Sequence, residues 1–147
     1  MDHEMTVLCV GGSGRFAGMV VPELSRRGIR ARAMVRNEEQ AKLAVANGAA
    51  EVVFADLRDA RSLDNASTGV EGVFHTGPAF APDEARMGLN MVEAARRAGV
   101  RRFVFSSVIQ PTNTDLANHA SKIPVENALF ASGMEYVLLH PANLFQN

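Results

Sequence analysis

Two kinds of stretch alternate along the chain. Short apolar runs end in glycine or polar turns, and each is followed by a longer segment whose apolar positions recur at helical spacing. The runs are about Thr6 to Val10, Ile29 to Val35, Glu51 to Ala55, Gly72 to Thr76, Arg102 to Ser106 and Glu135 to Leu139. The first helical stretch begins near Gly14 and closes at Gly28, with Ala17, Val20, Val21 and Leu24 on its inner face and Arg26 and Arg27 in its last turn. The second opens on an Asn37 cap with Gln40 three residues on and ends at Asn47-Gly48. A third follows Asp59 and turns Leu63 and Ala66 inward. A fourth runs from Asp83-Glu84 to Arg96-Arg97 and closes at Gly99. A fifth follows the polar loop Gln110 to Asn118 and ends at Gly133. Pro22 predicts a kink or a lost hydrogen bond in the first helix, and Pro124 either starts or kinks the last. This alternation predicts right-handed crossovers and an α/β fold. We expect a doubly wound parallel sheet of about six strands with helices on both faces. No repeat, low-complexity tract or linker divides the chain, so residues 1–147 read as one domain.

In such a sheet, ligands bind beyond the carboxyl ends of the strands, where the strand order reverses. The residues just after each strand are therefore the candidates. After the first comes Gly11-Gly12-Ser13-Gly14-Arg15-Phe16. Gly11 permits the tight turn, Gly14 lets backbone approach a pyrophosphate, and Ala17 and Gly18 let the helix sit close on the sheet. The spacing is G-x-x-G-x-x-A, neither the G-x-G-x-x-G of NAD dehydrogenases nor a P-loop. A glycine turn that binds nothing is the competing reading.

After the second strand comes Arg36, where NAD sites usually carry an acid. A guanidinium there would hold a 2′-phosphate and favour NADP(H) over NAD(H), unless Arg36 is a solvated surface residue. Arg30 and Arg32 lie at the far end of that strand. Asp56 and Leu57 would accept from and cover an adenine, or Asp56 serves as a cap. Thr76, Gly77 and Pro78 would let ribose and pyrophosphate pass, with His75 in the core. Ser106 would sit beside the nicotinamide, or merely end its strand. Lys122 would donate to the nicotinamide ribose, with a solvated helix lysine as the alternative. His119 is a candidate proton donor.

Composition narrows the choice of partner. A net charge of −1 argues against nucleic acid. No apolar run reaches the ~20 residues of a membrane span, and Met1-Asp2-His3-Glu4 carries no signal-peptide pattern. The single cysteine, Cys9, excludes a disulfide framework, fits a reducing cytoplasm, and reads as a small core residue. The four histidines, His3, His75, His119 and His140, are scattered, and no metal-ligand spacing occurs.

Taken together, these segments resemble the NmrA-like, atypical short-chain dehydrogenase/reductase proteins. Val10-Gly11-Gly12-Ser13-Gly14-Arg15 is similar to their T-G-A-T-G-R loop, and Ala33-Met34-Val35-Arg36 to the end of their second strand. Ala55-Asp56-Leu57 resembles their G-D-L, Phe103 to Ser107 their F-x-x-S-S, and Ser132 to Pro141 their S-G-L-x-Y-T-I-L-x-P. The resemblance implies a Rossmann fold, NADP(H) binding, and either NADPH-dependent reduction of quinone-like or other small carbonyl substrates or a non-catalytic redox sensor acting through a protein partner. Two departures bear on this. Active short-chain dehydrogenases carry Tyr-x-x-x-Lys, and counting back from Lys122 puts Asn118 where the tyrosine belongs. Family members also continue past Asn147 into a substrate-binding part. The chain would then lack most of that part, which leaves an inactive truncated member as a third reading and an exposed edge at the sixth strand that invites homodimerisation.

Overall fold

The computed structural model describes residues 4–142; His3 and the segment 143–147 lie outside them. The elements follow in the order β1 (Thr6–Val10), α1 (Ala17–Arg26), β2 (Arg30–Val35), α2 (Glu38–Ala46), β3 (Glu51–Phe54), α3 (Ala60–Ser67), β4 (Gly72–His75), α4 (Glu84–Arg97), β5 (Arg102–Ser106), α5 (Ala117–Ala120), α6 (Ile123–Ala131) and β6 (Glu135–Leu139). The six strands form one parallel sheet in the order β3-β2-β1-β4-β5-β6. The order reverses at β1, which pairs with β2 on one side and β4 on the other.

Strand alternation decides which helices cover which face. Leu8, Val10, Val73, Phe103 and Phe105 point to one side and join Leu63, Met87, Met91 and Leu129 of α3, α4 and α6 in the main core. Cys9 and Ala31 point to the other and pack on Val21 of α1, while Ala33 and Val35 pack on Ala41 and Ala44 of α2. Burial pushes the Cys9 thiol up to about 12, so it is protonated and inert at neutral pH, as a core residue. At β6, Tyr136, Val137 and Leu139 are exposed, as expected of the edge strand.

Three local expectations shift. Helix α1 begins at Ala17 rather than near Gly14, because Gly14 N–H donates back to Gly11 C=O (2.7 Å) and keeps 11–16 in a turn. It then runs on through Pro22, which lies inside the helix and has no N–H to give the Gly18 carbonyl four residues back, the lost hydrogen bond that the sequence predicts. The last helical stretch is two helices, α5 and α6. Pro124 lies in the first turn of α6, where an absent N–H costs nothing, so it starts that helix.

Helices α4 and α6 touch where Gly88 faces Val125. A Cβ at Gly88 would fall 2.5 Å from Val125 Cγ2. Gly88→Ala is therefore expected to lower stability by about 1–3 kcal/mol in urea unfolding, despite alanine's better helix propensity. In a double-mutant cycle with Val125→Ala, the combined loss should be smaller than the sum of the single losses.

Candidate functional site

A groove of about 530 Å³ crosses the carboxyl ends of β1 to β4. Gly11 leaves β1 at φ +71° with open space beside it, and a Cβ on Gly14 would meet the Gly11 carbonyl at 3.0 Å. Gly11, Ser13, Gly14, Arg15 and Phe16 all line the groove. Gly12 does not: a Cβ there would lie 2.8 Å from Ala33 Cβ. Its bareness serves the packing of the turn against β2.

At the end of β2, Arg36 lines the groove beside Gln40. Arg36 N–H donates to Gln40 Oε1 (2.8 Å), and Gln40 N–H donates to Asn37 Oδ1 (2.9 Å). This reciprocal cap fixes the path of the chain past Arg36. Arg30 and Arg32 are engaged elsewhere, both with Glu51. Past β3, Asp56 and Leu57 line the groove. Asp56 Oδ1 accepts from Arg58 N–H (2.8 Å), and Leu57 C=O accepts from Asn90 Nδ2 (2.8 Å). The capping of α3 falls to Asp59, which accepts from Arg61 N–H. Past β4, Thr76, Gly77 and Pro78 form the remaining wall.

The other sequence candidates lie off the groove. Ser106 is half-buried, and Ser107 is the buried hydroxyl. Ser107 donates to Glu126 Oε1 (2.5 Å), which also accepts from His140 Nε2 (2.8 Å). His119 Nδ1 donates to Gln110 C=O (3.0 Å) and so ties down the 110–119 loop. Lys122 is buried in an ion pair with Glu84, its Nζ 5.7 Å from the centroid of the Phe105 ring. It lies beneath Gly77 rather than in the groove, so contact with a ribose would require it to leave Glu84. Asn118 C=O accepts from Ser121 Oγ (3.0 Å), and the same hydroxyl is 3.1 Å from Glu84 Oε2.

Sequence reasoning missed Gln40, Met34, Ala81 and Met87, all lining residues. Only Gln40 carried a signal, the capping pattern. It also missed Glu84, which stands 38 positions from its partner. Among the described residues, no helix is long and apolar enough to cross a membrane, and no group of three or more His, Cys, Asp or Glu could hold a metal.

The Lys122–Glu84 pair makes a strong demand on stability. Lys122→Met should cost about 3–5 kcal/mol in urea unfolding, because it strands a buried carboxylate. Lys122→Met with Glu84→Leu should recover most of the loss. His75 adds a pH dependence. Burial first, then the Lys122 charge, hold its pKa at about 3. Below about pH 6.5 the unfolded chain binds a proton that the folded chain refuses, so stability falls as pH falls from there toward 3. His75→Asn should flatten the urea-midpoint profile across this window by up to about 1.4 kcal/mol per pH unit.

Comparison with known proteins agrees with this architecture. The model of the NmrA-like family matches residues 3–145. An NAD(P)H azoreductase from Xenophilus azovorans is 32% identical over 143 residues, 96% of this chain and 49% of its own. A structure of the NADPH-dependent quinone oxidoreductase from Escherichia coli, complexed with NADPH, superposes with a TM-score of 0.82 at 27% identity. It covers 92% of this chain and 48% of that one. Triphenylmethane reductase from Citrobacter sp. shares the fold with a TM-score of 0.85 at 23% identity, over 96% of this chain and 50% of its own. The chain thus spans about half the length of these relatives. From Thr6 to Leu139 the chain has a Rossmann-type parallel sheet, and it belongs to the NmrA-like family.

Proposed function

We propose that the groove binds NADP(H), and that the chain is the dinucleotide-binding part of an NADPH-dependent reductase of quinone-like acceptors. The observation that carries this reading is Arg36. It stands in the groove wall at the end of β2, followed by Asn37, and neither residue is the acid that would hold a ribose 2′-hydroxyl. A 2′-phosphate would meet a forked cation there.

The rest of the groove fits the same ligand. Its volume lies within the range of small-molecule and cofactor sites. The bare turn at Gly11 and Gly14 leaves room for a pyrophosphate against backbone N–H groups, with Arg15 alongside. Asp56 and Leu57 stand where an adenine would lie, and Gly77-Pro78 walls the side toward β5. When bound, NADPH supplies a hydride. The chain's own residues orient the dinucleotide and exclude water from one face of it. None of them is proposed as the acid, since Asn118 stands at the tyrosine position and Lys122 is held by Glu84. The relatives point to the same class of acceptor, being an azoreductase and a quinone oxidoreductase.

Calorimetric titration of residues 1–147 with NADPH and NADH tests the reading. NADPH should bind more tightly. Arg36→Ala should weaken it by roughly 10- to 100-fold, the worth of one charge-assisted bond, and leave NADH unchanged. Equal affinities in the parent chain would overturn the assignment of Arg36. Binding without NADPH oxidation in the presence of quinones would favour the sensor reading.

A further inference from the structure

Residues 76–83 join β4 to α4, and Phe80 stands out in this segment on two counts. Its backbone is left-handed, at φ +67°, a conformation that bulky residues rarely adopt. Its side chain is 81% exposed, the most exposed large apolar side chain among the described residues. A strained backbone that holds a phenyl ring in water needs a reason, because both features oppose folding and neither is repaid by packing.

The segment is not loose. At one end Gly77 rests on the His75, Glu84 and Lys122 cluster, with those side chains 3.4–3.8 Å from where its Cβ would be. At the other, Asp83 forms a two-pronged pair with Arg58 (2.7 and 2.9 Å). Between them Ala81 N–H donates to Pro78 C=O, and Glu84 N–H to Ala81 C=O. The ring is therefore presented from a fixed turn whose Pro78, Ala79 and Ala81 line the groove, while Phe80 itself is not part of that lining and projects into solvent beside it.

Its place along the groove selects what it would meet. Arg36, Asp56 and Leu57 stand at β2 and β3, on one side of β1, and the segment carrying Phe80 follows β4, on the other. A dinucleotide with its 2′-phosphate at Arg36 and its pyrophosphate at the Gly11–Gly14 turn runs its nicotinamide toward that second side. An acceptor ring must lie flat against the nicotinamide, with the reacting atoms about 3–3.5 Å apart, which leaves its outer face uncovered. A phenyl ring offers that face a stacking partner and asks for no hydrogen bond in return.

We propose that Phe80 is the stacking platform for the acceptor, which makes it a specificity residue for planar aromatic electron acceptors such as quinones. The proposal rests on the dinucleotide reading above.

The test uses the 147-residue chain saturated with NADP⁺. Menadione, a small naphthoquinone, is titrated by calorimetry into the parent chain and into Phe80→Ala, Phe80→Gly and Phe80→Trp. Phe80→Ala and Phe80→Gly should weaken menadione about tenfold, while Phe80→Trp stays within about twofold, and NADP⁺ affinity should be the same in all four. Phe80→Gly should also raise the thermal midpoint, since glycine adopts the turn without strain, so its loss of menadione cannot be a loss of fold. Menadione binding that ignores these substitutions overturns the proposal, as does an NADP⁺-loaded parent chain that does not bind menadione. A drop in NADP⁺ affinity in place of menadione affinity assigns the ring to the dinucleotide and overturns it too. Failure of the parent chain to bind NADP⁺ at all is the separate failure of the dinucleotide reading.

Discussion

Lys122 and Glu84 are buried where neither could remain charged alone, and half of the groove is arranged around their pairing. Removing two charges from water is costly, and the cost is offset only if the partners meet and the remaining polar atoms find bonds. The structure meets those conditions: Ser121 takes the second carboxylate oxygen, and the Phe105 ring lies near the ammonium. The pair thereby joins the start of α4 to the start of α6. It adds to burial, the larger cause, in keeping His75, stacked on Phe105 next to the same cation, neutral. A protonated His75 would be a second buried positive charge with no carboxylate of its own, so it stays neutral. Gly77 crosses directly above the three side chains, and the turn after β4 takes its course from them.

The opposite half of the groove is built by other means. Around Arg36, Asp56 and Gly14 the chain is held by short-range bonds between near neighbours, namely the Asn37–Gln40 reciprocal cap, the Asp56–Arg58 turn and the Gly11–Gly14 turn. Each such cap is worth about 1 kcal/mol and lies at the surface. One wall is thus a set of local turns on strand ends, and the other is a loop pinned to buried charge. A ligand spanning both would close against a firm wall at β4 and an exposed, water-facing one at β2 and β3.

That difference explains what could be read from the sequence. Local signals survive folding, so the strands, the Asn37 cap, the glycine turn and the residues at the ends of β1 to β3 stand where patterning put them. Long-range partners leave no local trace. Nothing near Lys122 in the sequence announces Glu84, and nothing near Gly12 announces the Ala33 behind it. The inward turn of Ser107, by contrast, is a local signal. Phe103 and Phe105 alternate inward along β5, and the same period of two carries Ser107 to the buried side and Ser106 to the other. The break between α5 and α6 was half legible, since Pro124 marks a helix start but does not say where the preceding turn ends.

Asn118 bears on the proposed acceptor as Arg36 bears on the proposed cofactor. Reducing an isolated ketone leaves an alkoxide, a base too strong to form without a proton donor in place, which is the work of the tyrosine in Tyr-x-x-x-Lys enzymes. Here Asn118 stands at that position, and Lys122, which would tune such a tyrosine, is neutralised by Glu84. Hydride addition to a quinone leaves an aryloxide instead, whose conjugate acid resembles a tyrosine phenol with a pKa near 10. Water protonates such an anion readily once it reaches the mouth of the groove. In the proposed reading, a groove that aligns rings with Asn118 at the tyrosine position would therefore serve quinone-like acceptors better than simple ketones. The proposed acceptor class thus rests on two separate features, Asn118 with the sequestered Lys122 on one hand and the exposed Phe80 ring on the other.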